Sequence, residues 1–173
     1  MAAFSRHAIE RISQRLNLSP IEYPSPGAFF DTCIYFEPVT IHGNQPGFAL
    51  YNYCSDECLP SYRTYVEQVL GGENLTPCKG QAYYKLGYCP VAYEGDFAKA
   101  KTFLYPGYKG TPEYGLIRNA NLTRAKRDEL LEEAEGLDAS QVMLNNKHDT
   151  IKWFHDNGVP QVVQFKHTVF AAI

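Results

Sequence analysis

Residues 81–93 read QAYYKLGYCPVAY, and this tyrosine-rich stretch decides the fold class. Aromatic side chains fit the pleated, half-buried surface of a sheet, so we predict a strand over Gln81–Tyr93. Gly87 and Pro90 indicate a bulge or an edge position within it. Alternation and turn signals predict further strands at Phe29–Ile41 with an interruption at Pro38, Phe48–Cys54 after a turn at His42–Gly47, and Val162–Ala171.

Helices are predicted before and between these strands along the chain, from capping residues and apolar spacing. Residues 105–115 hold two prolines and three glycines, so we predict a loop there. The pattern predicts an α+β domain over residues 1–173, with an antiparallel sheet packed with several short helices. The predicted helices are Ser5–Leu16, Pro60–Leu70, Asp96–Leu104, a helix from Asn121 or Thr123 to Gly136, one opened by the pair Asp138 and Gln141, and Asp149–Asp156.

Composition and charge exclude several classes of protein. The hydrophobic fraction of 45% and the charged fraction of 20% favour a folded chain over a disordered one. A formal net charge of −3 argues against binding long nucleic acid through overall charge. No apolar run approaches the roughly 18 residues that cross a bilayer, and Met1–Arg15 is polar and cationic, unlike a signal peptide. We therefore expect a cytoplasmic protein without a membrane partner.

The five cysteines are an odd number, which favours free buried thiols over a disulfide framework. Four of them, Cys54, Cys58, Cys78 and Cys89, raise the question of a tetrahedral zinc site. Only the Cys54-x3-Cys58 pair has the usual ligand spacing, so we expect no metal and no other cofactor. A nucleophilic cysteine stays open, since no local cysteine and histidine signature marks one.

A cationic face is predicted on the first helix. His7, Arg11 and Arg15 recur at i, i+4 and i+8, opposite an apolar stripe that includes Ala8 and Ile12. Arginine guanidiniums hold phosphate oxygens, and an imidazole transfers protons near neutral pH. The pattern favours His7 as a catalytic group and the two arginines as phosphate ligands, with a plain solvated helix face as the alternative.

The segment from Phe4 to Arg15, FSRHAIERISQR, resembles the first helix of BrnT-like small ribonuclease toxins. The resemblance implies that this helix packs on a small twisted sheet and that its histidine and arginines serve RNA cleavage. It covers this helix, and the remainder of the chain resembles no family that we recognise.

A second polar face is predicted near the C-terminus, where His148, Lys152 and His155 fall at i, i+4 and i+7. If His7 met this face across a cleft, histidines on the two sides would act as base and acid. Lys152 and Arg11 would then stabilise a pentavalent phosphorane without a metal. The alternative is that these are surface residues that suit the negative end of a helix.

The 105–115 loop supplies the last candidates, Tyr108 and Lys109. A tyrosine ring stacks on bases and a lysine pairs with phosphate, although tyrosine-rich surfaces also bind proteins. No phosphate-cradling glycine loop, nucleophile elbow or His-Glu-x-x-His motif is present in the sequence.

Three functions stay open at this point. The sequence favours a protein that acts on or binds a phosphate-bearing ligand, RNA or a nucleotide, as a metal-independent ribonuclease or phosphodiesterase. The alternative is a non-catalytic protein- or nucleotide-binding inhibitor, such as an anti-defence protein of a mobile element. A nucleic-acid-binding regulator built on Leu137–Gly158 is disfavoured by the acidic balance of the chain. The oligomeric state stays open.

Overall fold

The computed structural model describes residues 2–16, 34–41, 45–71 and 81–164. The chain forms two compact units, each built from two segments. Unit 1 comprises Met1–Tyr51 and Leu86–Leu137, and unit 2 comprises Asn52–Lys85 and Asp138–Ile173. Helices and strands occur together around a sheet, which confirms the predicted α+β class. The prediction of a single domain stays a prediction.

The described strands and helices follow one another along the chain. In chain order they are β1 (Ala2–Phe4), α1 (Arg6–Arg15), β2 (Ile34–Ile41), β3 (Gln45–Tyr53), α2 (Leu59–Gln68), β4 (Ala82–Glu94), β5 (Phe97–Ala100), α3 (Pro112–Asn119), α4 (Arg124–Ala134), α5 (Ala139–Leu144), α6 (Asp149–Asp156) and β6 (Val162–Gln164). Within the described residues, no helix is both long and apolar enough to cross a membrane.

The sheet of unit 1 has the strand order β1-β5-β4-β3-β2. β4 and β5 pair antiparallel, with Val91 opposite Ala100 and Glu94 opposite Phe97. β1 pairs in parallel with β5 at the edge of the sheet. The sequence predicted an antiparallel sheet, and this parallel edge strand departs from that prediction. The Ser5 amide donates to the Ala100 carbonyl over 2.9 Å, which fixes the point where β1 ends and α1 begins.

The opening helix has the predicted cap and the predicted buried stripe. The Ser5 Oγ accepts a hydrogen bond from the Ala8 amide at 3.1 Å, satisfying a backbone group that the helix itself leaves free. Ala8 and Ile12 are fully buried. Because α1 packs through this stripe, its opposite side carries the polar residues.

The prediction of a helix from Asp96 to Leu104 is wrong, because this segment contains strand β5. Gly95, at φ +60, forms the tight turn that returns the chain antiparallel to β4. β5 also pairs with β1, so its backbone groups find partners on both sides. Pairing with β1 and β4 outweighs the weak helical preference of a short segment.

Three other boundaries differ from the predictions. β2 runs through Pro38 without interruption, since it ends the strand order and an edge tolerates a missing amide proton. β3 begins at Gln45, inside the predicted turn. Helix α3 begins within the predicted loop and runs on to Asn119, because Pro112 occupies a first-turn position that needs no amide donor. The predictions for residues 29–33, 42–44 and 165–171 lie outside the described residues.

Unit 2 packs α2, α5 and α6 around a core of its own. Tyr62, Tyr65, Val66, Met143 and Ile151 are all buried in one apolar cluster. β6 adds its three residues antiparallel to Ala82–Tyr84 at the start of β4. The predicted bounds of α6 are confirmed, and so is the predicted cap of α5, where an Asp138 carboxylate oxygen accepts from the next helical amides.

Gly87 generates a prediction about the stability of unit 1. A Cβ at this position would lie 2.4 Å from the Leu104 carbonyl oxygen and 2.5 Å from the Phe103 ring. Neither neighbour is free to move, so we expect Gly87→Ala to lower the free energy of unfolding by about 1–3 kcal/mol. Urea denaturation followed by circular dichroism measures this change. The control Tyr93→Thr, at an exposed position of the same strand, should stay within about 0.5 kcal/mol of the parent. A Gly87→Ala variant as stable as this control would contradict the steric account.

Candidate ligand-binding site

The loop after Leu104 is held against the end of α4 by its backbone. The Gly136 amide donates to the Pro106 carbonyl over 2.9 Å. Gly107 has φ +81, and a Cβ there would lie 2.2 Å from the Ala134 carbonyl oxygen. Only glycine permits both this conformation and this close approach. The loop is therefore anchored at its base, and the residues that follow it are held in place.

Thr111 fixes the other end of the loop. Its buried hydroxyl donates to the Tyr108 carbonyl at 2.7 Å and accepts from the Tyr114 amide at 3.3 Å. The second bond caps helix α3, whose first turn contains Tyr114. One hydroxyl therefore sets the positions of two tyrosines at the same time.

A row of aromatic rings packs against Tyr108. Tyr105 meets both Phe103 and Tyr108 edge to face, each at 5.6 Å between ring centroids. The guanidinium carbon of Arg15 lies over the Tyr105 ring at 4.7 Å from its centroid. Arg15 also donates to the Leu137 carbonyl at 2.8 Å, so both of its interactions hold the loop region together.

These anchored residues line an open pocket of about 470 Å³ within unit 1. This volume lies in the range of sites that bind small molecules. Two leucines supply apolar walls, two tyrosines supply rings with polar tips, and a lysine and a glutamate supply opposite charges. The lining residues are Leu104, Gly107, Tyr108, Lys109, Tyr114, Leu131 and Glu135.

Lys109 is the cation of this pocket and is exposed. The ion pairs of the described residues are made by other lysines and arginines, which include Lys126 with Glu129 and Lys152 with Asp156. The ammonium of Lys109 is therefore available to an anion that enters the pocket.

The predicted cationic face of α1 separates into two parts. His7 and Arg11 are exposed on the helix surface. Arg15 is half-buried and is held by Tyr105 and Leu137. Two of the three residues therefore face solvent, while the third contributes to the support of the loop.

The second predicted face lies in unit 2, on and just before α6. His148 precedes the helix, and its ring lies 5.2 Å from the Tyr65 ring between centroids. Burial lowers the pKa of His148, with the Asp149 carboxylate opposing the effect. Lys152 pairs with Asp156, and His155 is exposed in the last turn. Since His7 belongs to unit 1, its catalytic pairing with these histidines stays a prediction.

Three of the five cysteines fall in the described residues: Cys54, Cys58 and Cys89 are free and buried. The prediction of free buried thiols is confirmed for these three, and Cys33 and Cys78 lie outside that part of the chain. Across residues 2–16, 34–41, 45–71 and 81–164, no cluster of three or more histidine, cysteine or acidic side chains has metal-site geometry.

Comparisons with known proteins add no assignment. The chain matches no protein-family model, and the searches of curated proteins and of solved structures find no match. The resemblance of Phe4–Arg15 to ribonuclease toxins therefore stays a prediction, and the function is argued from the geometry of the chain itself.

Sequence reasoning predicted Tyr108 and Lys109 but missed the other pocket side chains. Tyr114 lies in the same predicted loop as Tyr108 but was not selected; it stands in the first turn of α3, whose start is indicated by threonine followed by proline at 111–112. Leu131 and Glu135 lie at the end of α4, and nothing local in the sequence indicates that the loop folds onto this end.

Arg15 and Arg11 provide a matched test of the two roles on one helix. We expect Arg15→Ala to lower the free energy of unfolding by about 1–3 kcal/mol, since it removes a charge-assisted hydrogen bond and a cation–π contact. Arg11→Ala should change it by less than about 0.5 kcal/mol because that side chain is exposed. Thermal and urea denaturation measure both variants, and equal losses would refute the assignment of Arg15 to the loop support.

His148 gives a pH dependence whose sign follows from burial. Its pKa is lower in the folded chain than the usual 6.5, so the unfolded chain binds the proton more readily. The stability that this imidazole contributes is therefore present above pH 6.5 and is lost as the pH falls through that value towards the folded-state pKa.

We expect the stability advantage of the parent over His148→Gln to be larger at about pH 7.5 than at about pH 5. Urea denaturation of both proteins at the two pH values measures this difference. An advantage that is the same at both values would show that His148 does not titrate with unfolding in this way.

Proposed function

We propose that this protein binds a nucleotide in the pocket beneath the 105–111 loop. The observation that carries the proposal is the pocket of about 470 Å³ that brings the exposed ring of Tyr108 and the ammonium of Lys109 together with Leu104 and Leu131. An aromatic ring beside a cation, over apolar walls, matches a ligand with a flat base and a phosphate.

Tyr108 supplies the stacking surface in this proposal. The Tyr108 residue is 39% exposed, which leaves contact area for a base. Its backbone is held by Thr111 and its ring edge by Tyr105, so little conformational entropy is lost when a base stacks on it. A pre-positioned ring of this kind favours binding.

Lys109 and Glu135 supply the polar recognition. The ammonium of Lys109 pairs with the phosphate, and the positive end of the α3 dipole, at Tyr114, adds to the attraction. The Glu135 carboxylate accepts hydrogen bonds from ribose hydroxyls or from an exocyclic amine of the base. The two opposite charges thereby orient a nucleotide along the pocket.

The pocket supports binding more than turnover. Its lining contains no histidine and no cysteine, so the base and acid pair predicted for cleavage is not formed by these side chains. This favours the non-catalytic alternative, in which the protein sequesters a nucleotide from another protein that uses it. Binding alone suffices for such an inhibitor.

Calorimetric titration with nucleoside monophosphates tests the proposal, beside the matching nucleosides and ribose 5-phosphate. We expect binding by the complete nucleotides and weaker binding by either part. Tyr108→Ala should weaken binding roughly 5- to 150-fold, the range that one stacked base contributes. Lys109→Ala should weaken it roughly tenfold for the nucleotide and leave the affinity for the nucleoside unchanged.

Two variants of the same unit serve as controls. Tyr93→Ala removes another exposed tyrosine, and Lys126→Ala removes another surface lysine, both outside the pocket lining. Both should bind as the parent does. Failure of the parent to bind any nucleotide, or equal affinities of the parent and the two pocket variants, would refute the proposal.

A further inference from the structure

Two buried thiols of unit 2, Cys54 and Cys58, belong to the same apolar cluster and are four residues apart in the sequence. Their side chains interact with each other, and the Cys58 thiol donates a hydrogen bond to the Ser140 carbonyl at 3.8 Å. Cys54 follows β3 and Cys58 immediately precedes α2. One turn, residues 55–57, therefore brings the two sulfurs together.

The backbone of this turn is held in place. The Cys58 amide donates to Ser55 Oγ at 3.2 Å, and the Leu59 amide donates to the Ser55 carbonyl at 2.9 Å. The Cys54 amide donates to the Ala82 carbonyl at 2.9 Å, which ties the first cysteine to β4. Both cysteines are thus positioned from either side of the turn.

The two thiols differ in their ease of ionisation. The hydrogen bond from Cys54 lowers the pKa of Cys58, although burial and the carboxylates of Asp138 and Glu57 oppose this. The same hydrogen bond, together with burial, raises the pKa of Cys54. Cys58 also occupies the N-cap position of α2, next to the positive end of the helix dipole, which stabilises a thiolate. One sulfur is therefore suited to attack an oxidant and the other to resolve the product.

We propose that Cys54 and Cys58 form a reversible intramolecular disulfide, with Cys58 as the sulfur that reacts first with a peroxide. The basis is the placement of two buried thiols of one cluster across a single held turn at the start of α2. The proposal concerns unit 2 alone and is independent of the nucleotide pocket of unit 1.

The reaction balances with hydrogen peroxide as the oxidant. The Cys58 thiolate attacks one peroxide oxygen, the O–O bond breaks, and a sulfenic acid and hydroxide result. The hydroxide takes the proton of Cys54, whose sulfur then attacks the Cys58 sulfur. The S–S bond forms as the S–O bond breaks, and the released hydroxide is protonated to water. The two thiols together lose two electrons, and the peroxide is reduced to two waters.

Access favours a small oxidant. The Cys54 and Cys58 residues are 7% and 2% exposed, which excludes a bulky disulfide reagent from the folded chain. The residues between them, Ser55, Asp56 and Glu57, are all exposed, so the turn that joins the two cysteines lies at the surface. A peroxide needs only a local opening of this turn to reach the sulfurs.

The test treats the folded, reduced full-length chain with hydrogen peroxide, then unfolds it in an alkylating agent and maps the cysteines by mass spectrometry. We expect a peptide with Cys54 linked to Cys58, lighter by two hydrogens and restored by dithiothreitol. Cys89, whose pKa burial raises to about 12, should stay reduced and be alkylated. Full alkylation of Cys54 and Cys58 after peroxide treatment would overturn the proposal.

Two variants assign the order of the steps. In Cys54→Ser, we expect Cys58 to stop at the sulfenic acid, which dimedone traps, and to react roughly tenfold faster than Cys89. In Cys58→Ser, we expect Cys54 to stay reduced. Circular dichroism verifies that each variant is folded. A link from either cysteine to another cysteine of the parent chain would also overturn the proposal, and this measurement does not depend on the variants.

Discussion

Backbone pairing along β4 is the constraint on which both compact units depend. Near its start, the Lys85 amide donates to the Gln161 carbonyl at 2.7 Å within unit 2. Farther along, Tyr88 and Leu104 exchange two hydrogen bonds within unit 1, at 2.9 Å and 2.8 Å. This exchange places Leu104 beside Gly87, where no side chain fits. The loop that forms the pocket begins directly after Leu104, so the position of the pocket follows from the pairing of β4.

Sequence signals were sufficient wherever a local interaction decides the structure. The α1 and α4 caps, Ser5 and Thr123, each form the expected bond to an amide three residues on, at 3.1 Å and 3.2 Å. β5 was missed because its structure depends on pairing with β1 and β4, whose residues are distant or turn back through Gly95. Spacing within a four-residue segment carries no information about such partners.

The candidate site shows the same division between local and distant causes. Tyr108 and Lys109 are adjacent in a segment that the sequence indicates to be loop, so they were predicted. Their pocket also needs Leu131 and Glu135, which reach it because the loop backbone packs on the end of α4 at Gly107. The need for glycine at that position becomes visible only when the Ala134 carbonyl is seen 2.2 Å from where a Cβ would stand.

Arg15 illustrates why helical spacing alone does not assign a role to a cation. Each helical residue turns by about 100°, so eight residues carry Arg15 roughly 80° around the axis from His7. This rotation is small enough for the three cations to count as one face in the sequence, yet large enough to place Arg15 over Tyr105. Tyr105 in turn contacts the ring of Tyr108. Arg15, which was predicted to bind phosphate, thereby lies in a series of contacts that reaches Tyr108 of the pocket through Tyr105.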